Sequence, residues 1–417
     1  MNELYFKKNI QIKLPEPVGT ILKTLRDAGF EAYAVGGCVR DSILGVTPKD
    51  WDITTSATPL ETKALFKRTI DTGIQHGTVT VMINGEGYEV TTYRVDGKYT
   101  DGRHPKEVTF TASLTEDLKR RDFTINAMAY NEEHGVVDCF GGTEDLERGI
   151  IRCVGDAKER FSEDALRMLR AVRFSGVLGF DICEDTLAAI KEMAAAITKI
   201  SRERIQAELD KLIMSSHPDR ITALYDTKLI DHIFKQEWKT TENTDNTDKS
   251  IMARLLTVAP KEHYVRWALF ITYVNADNIL CSLKFDNSTI KICNQLLKYK
   301  DEALSCFEPD LRHSIVKVGK DIFGKYYLPY RMTLAANNDD LADKLKNVAA
   351  VYDTIIRRGD CLSIGELAVN GNDIMALCGV KGKEVGKILN ELFEVVLTDY
   401  TKNNREYLIK YACICSV

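Results

Sequence analysis

A chain of 417 residues is too long for one ordinary core, so two to four domains are expected. With 44% apolar residues, 28% charged residues and 9 prolines, a collagenous, low-complexity or wholly disordered chain is excluded. The net charge of −5 excludes a surface generally coated for polyanions, so any nucleic-acid contact must be local.

The longest apolar run is about five residues, too short for a transmembrane helix. Met1 to Pro17 carries lysines but no apolar signal-peptide core. The 11 cysteines are scattered without a Cys-x-x-Cys, and only Cys413 and Cys415 lie close in sequence. Reduced thiols in a cytoplasm fit this better than a disulfide framework or a zinc site.

The first 150 residues alternate strand and helix. Val18, Ile21, Leu22 and Leu25 share one face of a helix predicted from Pro17 to Ala28. A strand over Ala32–Val35 runs into Gly36-Gly37, a short helix spans Val39–Leu44, and a second strand covers Trp51–Thr54. Asn84-Gly85 between Thr78–Ile83 and Tyr88–Tyr93 reads as a hairpin turn. The polar stretch from Asp96 to Pro105, with Arg103 and His104, reads as a mobile loop suited to a lid. Beyond residue 150 the pattern is helical: Ser162–Phe174, Asp185–Ile200, Arg202–Met214, then Ile251–Leu397 with breaks near Pro260, Pro309, Pro329 and Gly359. Lys239–Ser250 reads as a surface loop. The architecture is a small α/β head followed by a helical body and tail.

Five constellations carry candidate chemistry. Asp50 and Asp52, two apart on a strand, present two carboxylates on one face with Trp51 turned away. That suits Mg²⁺, and a pair of such ions can activate a hydroxyl and stabilise a leaving pyrophosphate. Gly36-Gly37 opens a helix whose free N–H groups can cradle a triphosphate, with Arg40 placed for a phosphate. Glu89, on the returning hairpin strand, is a third carboxylate: a metal ligand, a base or a solvent-facing residue. In Arg120–Ala127, Arg121 offers planar donors to phosphate or ribose, and Asp122 and Asn126 can bond a sugar; taken alone, the segment reads rather as a helix start.

In the fourth constellation, Ser162 is a plausible N-cap and Glu163 fits an ordinary acidic first turn, but the row Arg167, Arg170, Arg173 needs another reason. Asp164 and Arg167, neighbours on the helix, can together read a nucleobase edge. Lys381 and Lys383, where a turn opens a helix, suit a backbone phosphate or are simply solvated. Lys and Arg are concentrated over Arg94–Arg121 and Arg152–Arg173, where a positive cleft is expected.

Taken together, these motifs resemble those of the bacterial tRNA nucleotidyltransferases, the class II CCA-adding enzymes. Tyr33–Asp41 with Asp50–Thr54 resembles the family's motif A, Arg120–Ala127 its motif B and Val137–Gly142 its hinge motif C. Glu163–Arg167 with Arg170–Phe174 resembles motif D, the amino-acid template, and Ile200–Leu209 resembles motif E.

The resemblance implies an α+β, polymerase-β-like head over residues 1–150, then an all-α neck (151–215), body (216–335) and tail (336–417). It implies addition of C, C and A to tRNA 3′ ends from CTP and ATP with two Mg²⁺ ions. Asp50 and Asp52 would hold the metals. Gly37, Arg40 and Arg121 would contact the incoming nucleotide, and Asp164 and Arg167 would pair with its base, supported by Arg170 and Arg173. A cytoplasmic enzyme with no membrane and no obligate protein partner is expected.

Relatives that add only CC, only A, or poly(A) tails are the alternatives, with a non-catalytic RNA-binding protein as a further class. Asp96–Pro105 resembles the loop required for the final A, and Thr72–Val79 resembles the CCA branch. The last 57 residues hold six Lys/Arg and seven Asp/Glu, so they are not a basic arm.

Overall fold

The computed structural model describes residues 6–7, 10–96, 108–234, 246–274 and 278–415. The chain forms two compact units, Met1–Trp238 and Lys239–Val417. The expected boundaries at 150 and 215 lie inside the first, and that at 335 inside the second.

The first unit opens with β1 (Phe6–Lys7), α1 (Glu16–Asp27), β2 (Ala32–Val35), α2 (Gly37–Ile43), β3 (Ile53–Thr55), α3 (Pro59–Leu65) and β4 (Thr69–Gly73). The hairpin β5 (Thr78–Ile83) and β6 (Glu86–Thr92) follows, then β7 (Arg94–Asp96), β8 (Val108–Phe110), α4 (Leu114–Lys119), β9 (Met128–Asn131), β10 (Gly135–Asp138), α5 (Gly142–Arg148) and β11 (Ile150–Ile151). Next come α6 (Ala157–Glu163), α7 (Leu166–Leu178), β12 (Asp181–Ile182), α8 (Glu184–Met193), α9 (Arg202–Ile213), α10 (Thr222–Asp226) and α11 (Leu229–Ile233).

Eight strands form one sheet in the order β1-β10-β9-β2-β3-β6-β5-β4. The β3–β6 pair is parallel, with Ile53 opposite Val90. Residue alternation gives the sheet two packed faces. Ala32, Ile53, Val81 and Val90 meet Val18, Ile21, Leu22 and Leu25 of α1 on one, and Tyr33, Val35 and Ala129 meet Leu114 and Leu118 of α4 on the other. Asn84 and Gly85 both have positive φ, 52° and 87°, the requirement of the tight hairpin turn their sequence predicts.

The second unit holds α12 (Asn246–Val258), α13 (His263–Tyr273), α14 (Ile279–Ser282), α15 (Asn287–Lys298), α16 (Glu308–Val318), α17 (Lys320–Ile322), α18 (Leu328–Leu334), α19 (Asp339–Arg358), α20 (Gly371–Cys378), α21 (Lys383–Thr398) and α22 (Arg405–Cys415). Two sequence expectations are corrected here. Residues 246–250, read as loop, begin α12; residues 239–245 lie outside the described residues. Pro329 does not interrupt its helical run, because a π-helical turn over Phe323–Tyr327 precedes it and Pro329 falls in the first turn of α18, where a missing N–H is tolerated. Among the described residues no helix is long and apolar enough to cross a membrane.

Candidate active site

Asp50 and Asp52 lie in the extended segment just before β3, which begins at Ile53 rather than at Trp51. Asp52 is nevertheless held to the sheet: the Val35 N–H donates to its carbonyl at 2.9 Å. Trp51 packs against the α1 core, so the two acids turn to the opposite face, and both are exposed. Crowding by surrounding protein pushes the Asp52 carboxyl above its usual range; Arg121 pulls it back and the Asp50 charge adds to the rise. Glu89 is also exposed and, one residue before Val90 opposite Ile53, lies on the same face one strand away. Among the described residues no group of three acids, histidines or cysteines is arranged to enclose a metal. Two exposed carboxylates with open coordination do fit Mg²⁺, which takes one or two carboxylates and fills the rest with water and phosphate.

Arg121 connects this pair to the glycine turn. Gly36 has φ +84°, a conformation that favours glycine, and a Cβ there would stand 2.9 Å from Arg121 Nη1 and displace that guanidinium. Gly37 begins α2 beside it. Asp117, fully buried in α4, accepts from Thr54 Oγ1 at 3.2 Å and from Arg120 Nε at 3.0 Å, and lies 3.6 Å from Arg121. Burial raises the Asp117 carboxyl, but Arg120 and Arg121 outweigh it and hold it below its usual range. Arg121 itself keeps a buried Nε without a hydrogen-bond partner.

The remaining motif residues form a linked lattice around Phe174. Arg40 donates Nε to Asp41 at 2.8 Å and Nη1 to Asn126 Oδ1 at 2.6 Å. The Asn126 amide donates to Asp122 Oδ1 at 3.2 Å, and Asp122 Oδ2 accepts from Arg170 at 2.8 and 2.5 Å. Arg173 donates to Glu208 of α9 at 2.8 Å, and Arg170 lies 3.6 Å from the same carboxylate. The guanidinium carbons of Arg40, Arg170 and Arg173 stand 5.2, 5.3 and 3.5 Å from the Phe174 ring centroid. Burial alone would raise Asp122; Arg170, with Arg167 and the Asn126 amide, holds it down at about 2. Gly176 permits this packing, since a Cβ there would meet Leu212 Cδ1 of α9 at 2.6 Å.

The expected helix Ser162–Phe174 is two helices. Asp156 caps α6, which ends at Glu163; Asp164 is extended (φ −144°, ψ 104°), and α7 starts at Leu166. Asp164 causes the break by accepting from the Leu166 N–H at 3.0 Å, a local turn that competes with helix. Asp164 and Arg167 therefore do not bond each other through their side chains. Asp164 accepts from Arg204 of α9 at 2.6 Å, while Arg167 donates to Glu163 at 2.5 Å and to the carbonyls of Arg160 and Arg120 at 3.2 and 3.0 Å.

The Asp96 backbone ends β7, and Arg103 and His104 lie outside the described residues. Lys381 and Lys383 are exposed at the start of α21 in the second unit. In the hinge-like motif, Asp138 accepts from the Gly142 and Thr143 N–H groups at 2.8 and 2.9 Å, which anchors α5. The expected positive cleft relied on arginines that are largely balanced internally: Arg120 by Asp117, Arg152 by Asp145, Arg167 by Glu163, Arg170 by Asp122 and Arg173 by Glu208.

Sequence reasoning missed Asp117, Arg204 and Glu208. The available signal for Glu208 was an acid interrupting the apolar stripe Ile205, Leu209, Leu212 of α9; Asp117 carried a similar signal beside Leu114 and Leu118.

Comparison with known proteins identifies the family of the chain. The Poly A polymerase head domain family matches residues 32–152, a family described as a probable RNA and SrmB-binding site of polymerase A matches 179–239, and tRNA nucleotidyltransferase domain 2 matches 259–412. The chain is 37% identical over 402 residues to the CCA-adding enzyme of Leuconostoc citreum and 38% identical over 408 residues to that of Lactiplantibacillus plantarum, covering 94% of both chains in each case. It superposes on the crystal structure of the Bacillus stearothermophilus CCA-adding enzyme in complex with CTP with a TM-score of 0.77 at 32% identity, covering 96% of this chain and 98% of that one. The chain belongs to the CCA-adding enzyme family.

Proposed function

We propose that the chain builds and repairs the 3′-terminal CCA of tRNA from CTP and ATP, releasing pyrophosphate at each addition. The observation that carries this reading is the exposed Asp50–Asp52 pair beside Gly36 and Arg121, within a chain that matches CCA-adding enzymes along nearly its whole length.

Asp50 and Asp52 are assigned to two Mg²⁺ ions, whose chemistry is to activate the tRNA 3′ hydroxyl and neutralise the leaving pyrophosphate. Arg121, with its unpartnered buried Nε and its fork against Gly36, is assigned to the triphosphate or ribose. Glu89 shares the carboxylates' face and is assigned as the third acid of the site.

Asp164 and Arg167 are assigned to the base. Both retain capacity after their protein contacts. Arg167 spends three of a guanidinium's five N–H groups on Glu163, Arg160 and Arg120, and Asp164 keeps an acceptor position beyond Leu166 and Arg204. Cytosine and adenine each present an exocyclic amino donor beside a ring-nitrogen acceptor, so one acid and one arginine fit both after a small shift. Uracil and guanine present a carbonyl where the acid needs a donor. Arg40, Asp122, Asn126, Arg170 and Arg173 are assigned to holding this template in place, and Lys381 and Lys383 to a tRNA backbone contact. The activity is placed in the cytoplasm, with its tRNA substrate.

The test is incorporation of labelled CTP and ATP into three tRNA transcripts, ending at the discriminator base, after C, and after CC. Addition that stops at CCA on all three is expected. Addition of A only, to the CC-ending transcript, would make this a partial enzyme. Open-ended A addition would place it with the poly(A) polymerases, and no incorporation with Mg²⁺ present would leave a retained fold without the activity.

A further inference from the structure

Sequence spacing pairs no cysteines, yet the fold does. Cys378 ends α20 and Cys413 lies near the end of α22, and their Sγ atoms are 3.5 Å apart. Among the described residues no other two thiols are in contact. The two helices are also joined near their starts, where Arg405 donates to Asp373 at 2.6 Å. The ion pair joins the helices at one end and the thiol contact lies at the other. Cys413 is exposed and Cys378 half-buried, so a soluble oxidant reaches the first and the second is positioned to resolve it. Cys38, Cys153, Cys293 and Cys361, by contrast, are buried.

We propose that Cys378 and Cys413 are a modification site, forming a reversible intramolecular disulfide with low-molecular-weight disulfides such as glutathione disulfide. A disulfide needs an Sγ–Sγ distance of about 2.0 Å, so closure asks for roughly 1.5 Å, within reach of side-chain rotation. The Cys413 thiolate attacks one sulfur of glutathione disulfide, forming a mixed disulfide and releasing one glutathione thiolate. The Cys378 thiolate then attacks Cys413 Sγ and expels the second. Two protein thiols are oxidised, two electrons pass to the glutathione sulfurs, and the two protons end on the glutathione thiols at neutral pH. In a reducing cytoplasm the thiol form prevails, and the bond forms under oxidative load. The hydrogen bond that the Cys413 thiol donates to Cys378, with a smaller contribution from burial, holds its pKa above the usual range, so the exchange quickens as the pH rises.

The test exposes the full-length folded chain to glutathione disulfide. The Cys378 and Cys413 thiols should be lost, the linked peptide pair should weigh about 2 Da less than its reduced form as two hydrogens leave, and proteolytic mapping should find the Cys378–Cys413 link whatever adducts the exposed Cys281 and Cys306 take up. Dithiothreitol should reverse it. Cys378→Ser should stop at a glutathione adduct on Cys413, and Cys413→Ser should abolish the link. The same treatment in denaturant should scatter the pairing, showing that the fold selects it. A link to Cys415, disulfides only between chains, a persistent mixed disulfide on Cys413 of the unsubstituted chain, or no loss of the Cys378 and Cys413 thiols would each overturn the proposal.

Discussion

The two halves of the candidate site are built on opposite principles. At the mouth of β3, Asp50 and Asp52 are exposed, and among the described residues no side-chain hydrogen bond holds either carboxylate. Around Phe174, Arg40, Asp122, Asn126, Arg170, Arg173 and Glu208 are largely withdrawn from solvent and bonded to one another. Open valences suit groups whose partners arrive with the substrate; closed valences suit groups that fix geometry. Substitutions should therefore separate activity from stability along this divide.

The largest effect is expected at the open half. Asp52→Asn removes a carboxylate from the assigned metal site, and loss of several kcal/mol of transition-state stabilisation corresponds to about a thousandfold in rate. Stability should change by less than about 0.5 kcal/mol, because the residue is exposed and the repulsion from Asp50 is relieved. Single-turnover CTP incorporation and a urea melt on the same preparation check both. A large stability loss with activity retained would reverse the assignment of the two halves.

The closed half should show the reverse balance. Glu208→Ala leaves Arg173 without its acid and Arg170 with one fewer, in a region where removing one partner of a buried ion pair costs about 3 kcal/mol. The urea midpoint should fall accordingly. Any loss of activity should be recovered in part by Glu208→Gln, which keeps an acceptor for Arg173.

Asp122 makes the closed half pH-dependent. Its folded value of about 2 lies below the ordinary 3.8, so the folded state binds this proton less readily than the unfolded chain does. The resulting stabilisation, about 2 kcal/mol, is fully present above the unfolded value and is lost as the pH falls through the folded one. Across a window of about pH 4 to 2, stability should thus fall more steeply for the unsubstituted chain than for Asp122→Asn, and parallel profiles would remove Asp122 from the lattice.

This divide also explains what the sequence made legible. The hairpin, α1 and β2 follow from patterns of one to four residues, such as Asn84-Gly85 or the Val18–Ile21–Leu22–Leu25 stripe, and local rules suffice for them. The exposed acids were legible for the same reason, because their spacing alone places them on one face. The closed half was legible only as a row of arginines. Its acids come from distant segments, as with Asp122 to Arg170 and Arg173 to Glu208, and tertiary packing of α7 on α9 decides those pairings. The break at Asp164 was missed because the surrounding residues are good helix formers, and one side-chain bond to the Leu166 N–H overrides them.

Asp164 and Arg204 lie on the boundary between the two classes and offer the finest test. Their side chains are 16% and 23% exposed, neither open like Asp52 nor closed like Glu208. Arg204 approaches Asp164 with two nitrogens, at 2.6 and 3.4 Å, and so fixes the plane of the carboxylate as well as its position. Arg204→Lys keeps the charge but replaces a planar fork with a single point of contact, leaving the acid free to rotate. If Asp164 only closes the turn between α6 and α7, through its bond to the Leu166 N–H, the substitution should be silent in both assays. If the carboxylate must also present a defined edge to a base, discrimination between CTP and UTP should fall by several-fold, about 1 kcal/mol, while stability stays within the same margin. A stability loss with discrimination intact would place Asp164 wholly in the closed half and leave Arg167 as the residue that reads the base.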